Sequence, residues 1–200
     1  MPRIKNRKIT AAIQAVSAFI AGILITFSQS HSAAVGMIAL AIISLGWAAA
    51  FGLSVLRDKK RRGIVFGIFV GLGSLAMLAL SIAQLVQLSA AGNSDRFDLI
   101  FTAWLLIGAW GFFGTLAEVI LAIYAKPGSS RRRDHLISAV LATGLGVSQS
   151  IAGLSDSVSH VGFLGAYAIF VAVHLGISVA SPTAKADGKK TGSNKTKSKK

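Results

Sequence analysis

The chain has 200 residues, 53% hydrophobic and only 14% charged, with a formal net charge of +14. A water-soluble domain presents about a quarter of its residues as charge, so this composition excludes an ordinary soluble fold. Cysteine is absent, which excludes disulfides, thiol nucleophiles and Cys-ligated metals.

Residues 1–8 open the chain with a basic segment, Arg3, Lys5, Arg7 and Lys8. A membrane-crossing helix needs about 20 mainly apolar residues. Six runs meet that requirement: 9–27, 33–56, 63–88, 99–124, 136–154 and 161–180, together a transmembrane domain over 9–181. The first run exceeds the ~7–15 residues of a secretory signal core, so it reads as a retained span rather than one cleaved near His31. Thr143, Ser148, Gln149 and Ser150 dilute the fifth run, which is expected to face protein rather than lipid. Residues 182–200 are rich in Lys, Gly, Ser and Thr without an apolar cluster and are expected to form a disordered tail.

Orientation follows from the cations. Arg57, Lys59, Lys60, Arg61 and Arg62 follow the second run, and Lys126, Arg131, Arg132 and Arg133 follow the fourth. Seven lysines lie in the tail, and Arg96 alone falls in an alternate gap. Lys and Arg stay on the cytoplasmic side. The pattern therefore predicts an all-α integral membrane protein with six transmembrane helices and both termini inside. Cations at span ends, rather than along one face, point to the bilayer and its anionic headgroups as partners and away from nucleic acid.

Runs four and six align without gaps over 16 residues, GAWGFFGTLAEVILAI from Gly108 on GAYAIFVAVHLGISVA from Gly165. Runs three and five share a weaker GLG mark, at Gly71–Gly73 and Gly144–Gly146. Together they predict three hairpins of one orientation, parallel repeats about an axis along the membrane normal. The segments LLIGAWGFFGTLAEVILAIYAK (105–126) and LGAYAIFVAVHLGISVA resemble the HdeD-like bacterial membrane proteins, six helices in three hairpins. The resemblance covers about residues 8–181. It implies a bacterial inner-membrane location and a link to acid stress, but no functional residues. Proline, frequent in that family where odd helices leave the membrane, is missing at Phe27, Ser28 and Gln29.

Small residues are expected to set the packing. Gly63, Gly67 and Gly71 share one helical face, as do Ser138, Ala142, Gly146 and Ser150; such stripes let neighbouring backbones approach in a bilayer. Glu118 is the one formally charged side chain inside a run, on a face with Gly111, Gly114, Thr115 and Ala122. A carboxylate there requires a partner, water or a proton. Gln14, Glu118 and His174 fall at similar depth in the inner half. They read either as a proton-sensing or ion-contacting cluster, with Glu118 and His174 sharing a proton, or as structural ties, with snorkelling of Glu118 a third option. On the outer side, His31, Asp95, Asp98, Asp156 and His160 fall in loops, read as solvated, with a pH response or metal binding as alternatives.

The chain contains no P-loop, G-x-G-x-x-G after a strand, H-E-x-x-H or C-x-x-C. No cofactor is expected and no catalytic residue is assigned. The functional expectation is a small non-enzymatic inner-membrane protein acting through its presence or its partners, a second copy or another membrane protein among them. The alternative is a small-solute or proton transporter built on Gln14, Glu118 and His174.

Overall fold

The computed structural model describes residues 2–57, 61–91, 97–152 and 157–181. Expectations placed on Lys59, Lys60, Asp95, Arg96, Asp156 and the Lys-rich tail lie outside these residues. The described chain is all-helical, with α1 (Pro2–Phe27), α2 (Ala33–Arg57), α3 (Arg61–Ala90), α4 (Phe97–Tyr124), α5 (Ser130–Ile151) and α6 (Ser157–Ala180).

Five segments are long and apolar enough to cross a membrane: Lys8–Phe27, Ala33–Arg57, Gly63–Ala90, Phe97–Tyr124 and Val158–Ala180. In architecture the chain is a multi-pass α-helical membrane protein.

The exception is α5. It begins six residues before the apolar run expected at 136–154 and stops at Ile151. Arg131, Arg132, Arg133 and Asp134, read from sequence as loop, form its first turn because Ser129 caps it. The Ser129 hydroxyl accepts from the Arg132 amide at 3.3 Å, satisfying one of the helix's unpaired N–H groups. Residues 136–151 then supply an apolar stretch of only ~24 Å at 1.5 Å per residue, against a hydrocarbon core of ~30 Å.

A tight turn sets α5 against α4. Pro127 and Gly128 occupy its centre, Gly128 has φ 73°, and the Ser129 amide donates to the Lys126 carbonyl at 3.1 Å. Proline presets the first central position, and the second demands the positive φ that glycine adopts freely.

Helix contacts are most extensive for α2 with α3, α4 with α5, α1 with α6 and α1 with α2. Thinner contacts join α5 to α6 and α3 to α4, and α2, α4 and α6 also touch one another. The even-numbered helices therefore occupy the centre. Each brings one buried ring there: Trp47 and Trp110 meet edge-on with centroids 5.1 Å apart. A Cβ added at Gly114 would lie 3.9 Å from both Trp47 and the Tyr167 hydroxyl. By contrast, only 17% of the apolar window of α3 is buried, against 56% for α2. Lipid must cover most of α3.

The glycines divide by what they touch. A Cβ at Gly67 would sit 2.5 Å from Val55 on α2, and one at Gly71 would reach only Phe51, at 4.0 Å. Gly63, on the same face, is half-buried. Between α4 and α5 the approach is backbone to backbone: a Cβ at Gly111 would fall 2.5 Å from the Gly146 amide and 2.9 Å from the Ala142 carbonyl. Gly114 packs on the Ala142 methyl, and Gly146 lies under the Phe112 ring. Ser138, Ala142 and Gly146 are buried, but Ser150 is exposed and leaves the packed stripe.

One expectation is corrected. The fifth helix is not enclosed by protein: Leu136, Ile137, Val140, Val147 and Ile151 form an exposed face, Val140 at 71% and Ile151 at 77%. The diluting polar groups are handled locally instead. Thr143 donates to the Ala139 carbonyl at 2.8 Å and lies 3.1 Å from the Thr115 hydroxyl. Ser148 bonds the Leu145 carbonyl at 2.8 Å.

Candidate functional site

One set of polar groups inside the bundle collects where α4, α5 and α6 reach the basic end. Glu118 lies six residues before the last residue of α4, ~9 Å along the axis. It is 6% exposed, in the setting where a carboxylate must find a partner.

That partner is His135. Its Nδ1 lies 2.7 Å from Glu118 Oε2, with side-chain exposures of 19% and 8% respectively. Helix pairing explains the meeting. Glu118 stands eight residues before Lys126 and His135 six after Ser129, the two flanks of the turn; across a tight antiparallel turn the two positions lie within about two residues of level, ~3 Å along the axis. The glycine crossing of Gly111 and Gly146 keeps the two axes close.

A second contact defines the proton positions. Arg131 Nε donates toward His135 Nε2 at 3.4 Å. A guanidinium is always a donor, so Nε2 must carry a lone pair. The ring proton then sits on Nδ1 and is donated to Glu118. The result is a chain of contacts, Arg131 to His135 to Glu118. Adding a proton to Nε2 would set two donors against each other and displace Arg131.

From α6, His174 Nε2 donates to the Asp134 carbonyl at 3.1 Å, and the Ser178 hydroxyl points at Asp134 Oδ2 at 3.5 Å. Tyr167 lies deeper on the same helix, 5% exposed. Nearby, Lys8 ties the start of α1 to the end of α6 through the carbonyls of Val179 at 2.8 Å and Ser181 at 3.0 Å.

Of the three residues expected to form one layer, no hydrogen bond joins any two. Glu118 and His174 each bond α5 rather than one another. Gln14 is buried on α1, which packs against α2 and α6 but not α4. Sequence reasoning gave His135 no role, because the Arg-Arg-Arg-Asp-His run was taken as loop. The missed signal was Ser129, a helix cap, together with the tight Pro127–Gly128 turn that sets positions 118 and 135 nearly level.

The opposite end holds a second histidine site. His160 is 1% exposed and belongs to a helix, not to a solvated loop. Its Nδ1 lies 2.6 Å from Gln149 Oε1, and Gln149 Nε2 donates to the His160 carbonyl at 3.1 Å. The ring stacks on Trp104 at 4.1 Å. His31 is half-buried and Asp98 exposed at the same end.

Two open apolar grooves mark the surface, one lined by Ala15, Val16, Phe19, Ala172 and Val173, the other by Leu136, Ile137, Val140 and Leu141. Neither lining includes Glu118, His135 or His174. Among the described residues no three His, Asp or Glu side chains gather as metal ligands.

Compared with known proteins, the chain matches no family model, no curated protein and no solved structure. The HdeD-like resemblance gains no support from these comparisons.

Proposed function

We propose that this is a non-enzymatic, multi-pass protein of a bacterial inner membrane, with its basic end in the cytoplasm, whose Glu118–His135 pair makes the bundle responsive to protons. The observation that carries the reading is the buried contact of 2.7 Å between those two side chains. The groups that contact His135 are Glu118 on α4 and Arg131 on α5; the neighbouring Asp134 is bonded by His174 and Ser178 on α6.

Protonation replaces a donor–acceptor contact between Arg131 and His135 with a donor–donor clash, while the bond to Glu118 gains charge. Acidification therefore frees Arg131 and holds α4 to α5. The three central rings, Trp47, Trp110 and Tyr167, support a three-hairpin arrangement around a common axis. A role in acid stress would fit this response but rests on the HdeD-like resemblance alone.

Nitrogen-15 NMR of histidine-labelled protein in detergent tests the reading. His135 is expected to show a protonated Nδ1 and a bare Nε2 at neutral pH. On acidification both nitrogens are expected to carry protons, with Arg131 becoming more reactive to an arginine-specific reagent. An unchanged His135 spectrum across pH 5–8 would overturn it.

A second reading draws on the same polar seam. Glu118, His135, Asp134 and His174 could pass protons or a small solute, as in a transporter. Proton flux in proteoliposomes that is lost in Glu118→Gln would favour that reading over a static sensor.

A further inference from the structure

We propose that α5 carries a binding site for an anionic phospholipid, with its phosphate on Arg132 and Arg133 and one acyl chain in the groove of Leu136, Ile137, Val140 and Leu141. The proposal needs only residence in a bilayer and not the proton response of His135, so the two can fail separately.

The first observation is how α5 divides its polar residues. Arg131 turns inward to His135, and Asp134 faces Ser178 and the His174 ring on α6. Arg132 and Arg133 are exposed. The carboxylate is thus engaged on the protein side, and two unopposed guanidinium groups remain outside. Guanidinium pairs with phosphate through a planar fork of donors, a match in geometry as well as charge.

The second observation is the surface beneath them. Arg133, Leu136, Ile137 and Val140 recur at i, i+3, i+4 and i+7, one face of a helix. Leu136, Ile137, Val140 and Leu141 line an open groove of about 240 Å³. One turn on, a Cβ at Gly144 would meet nothing within 4 Å. Glycine weakens a helix, and no contact among the described residues requires it here. A headgroup above and a chain below is the shape of a phospholipid.

The third is length. The apolar part of α5 falls ~6 Å short of the hydrocarbon core. Its arginines are held nearer the acyl region than cations at the end of a full span, where an unpaired charge is costly. A bound phosphate supplies the missing counter-charge at that depth.

The experiment titrates full-length protein in detergent with phosphatidylglycerol, phosphatidylcholine or inorganic phosphate. Bound lipid is followed by native mass spectrometry and stability by thermal unfolding. Phosphatidylglycerol is expected to bind and raise the melting temperature, with phosphatidylcholine weaker and inorganic phosphate without effect. The Arg132→Gln/Arg133→Gln pair should weaken phosphatidylglycerol about 30-fold, at roughly five-fold per cation. Val140→Trp, which fills the groove and leaves every charge in place, should also lose the tight site. Because Val140 is 71% exposed, this variant should fold. Equal binding of both lipids, full retention of phosphatidylglycerol by Val140→Trp, or an inorganic phosphate effect equal to that of the lipid would each overturn the proposal. So would a dimer that Val140→Trp dissociates while lipid binding stays unchanged, since a second copy would then occupy the face.

Discussion

Two histidines are packed between α5 and its neighbours, at opposite ends of the bundle, and they are held differently. His160 is 1% exposed, bonded to a neutral amide and stacked flat on Trp104. His135 is 19% exposed in its side chain and lies between a carboxylate and a guanidinium. Gln149 accepts from His160 and donates back to its carbonyl, so that contact itself adds no charge. Glu118 and Arg131 are ionisable groups on either side of the ring, so the state of His135 decides whether the set is compatible. The partner, not the imidazole, separates a structural tie from a switch.

The comparison breaks most completely if α5 leaves α4, since each histidine pair includes α5. Gly111→Leu forces a side chain into the Gly146 backbone. Overpacking of this kind costs ~1–3 kcal/mol or more, so detergent melting should fall furthest here and both histidine signatures should change together. Glu118→Ala acts at one end only. It leaves the His135 N–H buried without its acceptor, at a cost of ~1–3 kcal/mol, whereas Glu118→Gln retains an acceptor and should lose less.

Gln149→Ala removes the neutral pair and should cost about 1 kcal/mol. Its pH profile between 5 and 8 should stay like that of the unmodified chain, whereas His135→Gln should flatten the profile. Equal flattening in both variants would erase the distinction between the two ends. The smallest effect is expected for Thr143→Ala, which removes the exposed hydroxyl contact to Thr115. Interhelical hydrogen bonds in membranes average ~0.6 kcal/mol, and neither histidine should notice.

Much of the architecture was legible because its causes are local. Runs of about 20 apolar residues become helices wherever backbone groups must be satisfied without water. Gly111, Gly114 and Gly146 were readable as packing positions from their spacing, and Glu118 stood out as a charge among apolar neighbours. Its partner did not stand out. His135 follows three arginines and an aspartate, and a basic run read as loop hides the first turn of α5. Two local facts would have recovered it: Ser129 as a cap, and Pro127–Gly128 as a turn tight enough to bring positions 118 and 135 nearly level. His174 was paired in the sequence reading with Glu118 but bonds the Asp134 carbonyl, because depth along an axis says nothing about rotation around it. His160 was assigned to a loop because the start of α6 lies before its apolar run.

The central claim is that Glu118 and His135 act as one unit across the α4–α5 seam. A double-mutant cycle with Glu118→Gln and His135→Gln, read as unfolding free energy in detergent at neutral pH, tests it directly. The account predicts a coupling of about 1–3 kcal/mol, the range for groups that share a buried bond. Effects that simply add, within ~0.3–0.5 kcal/mol, would contradict it.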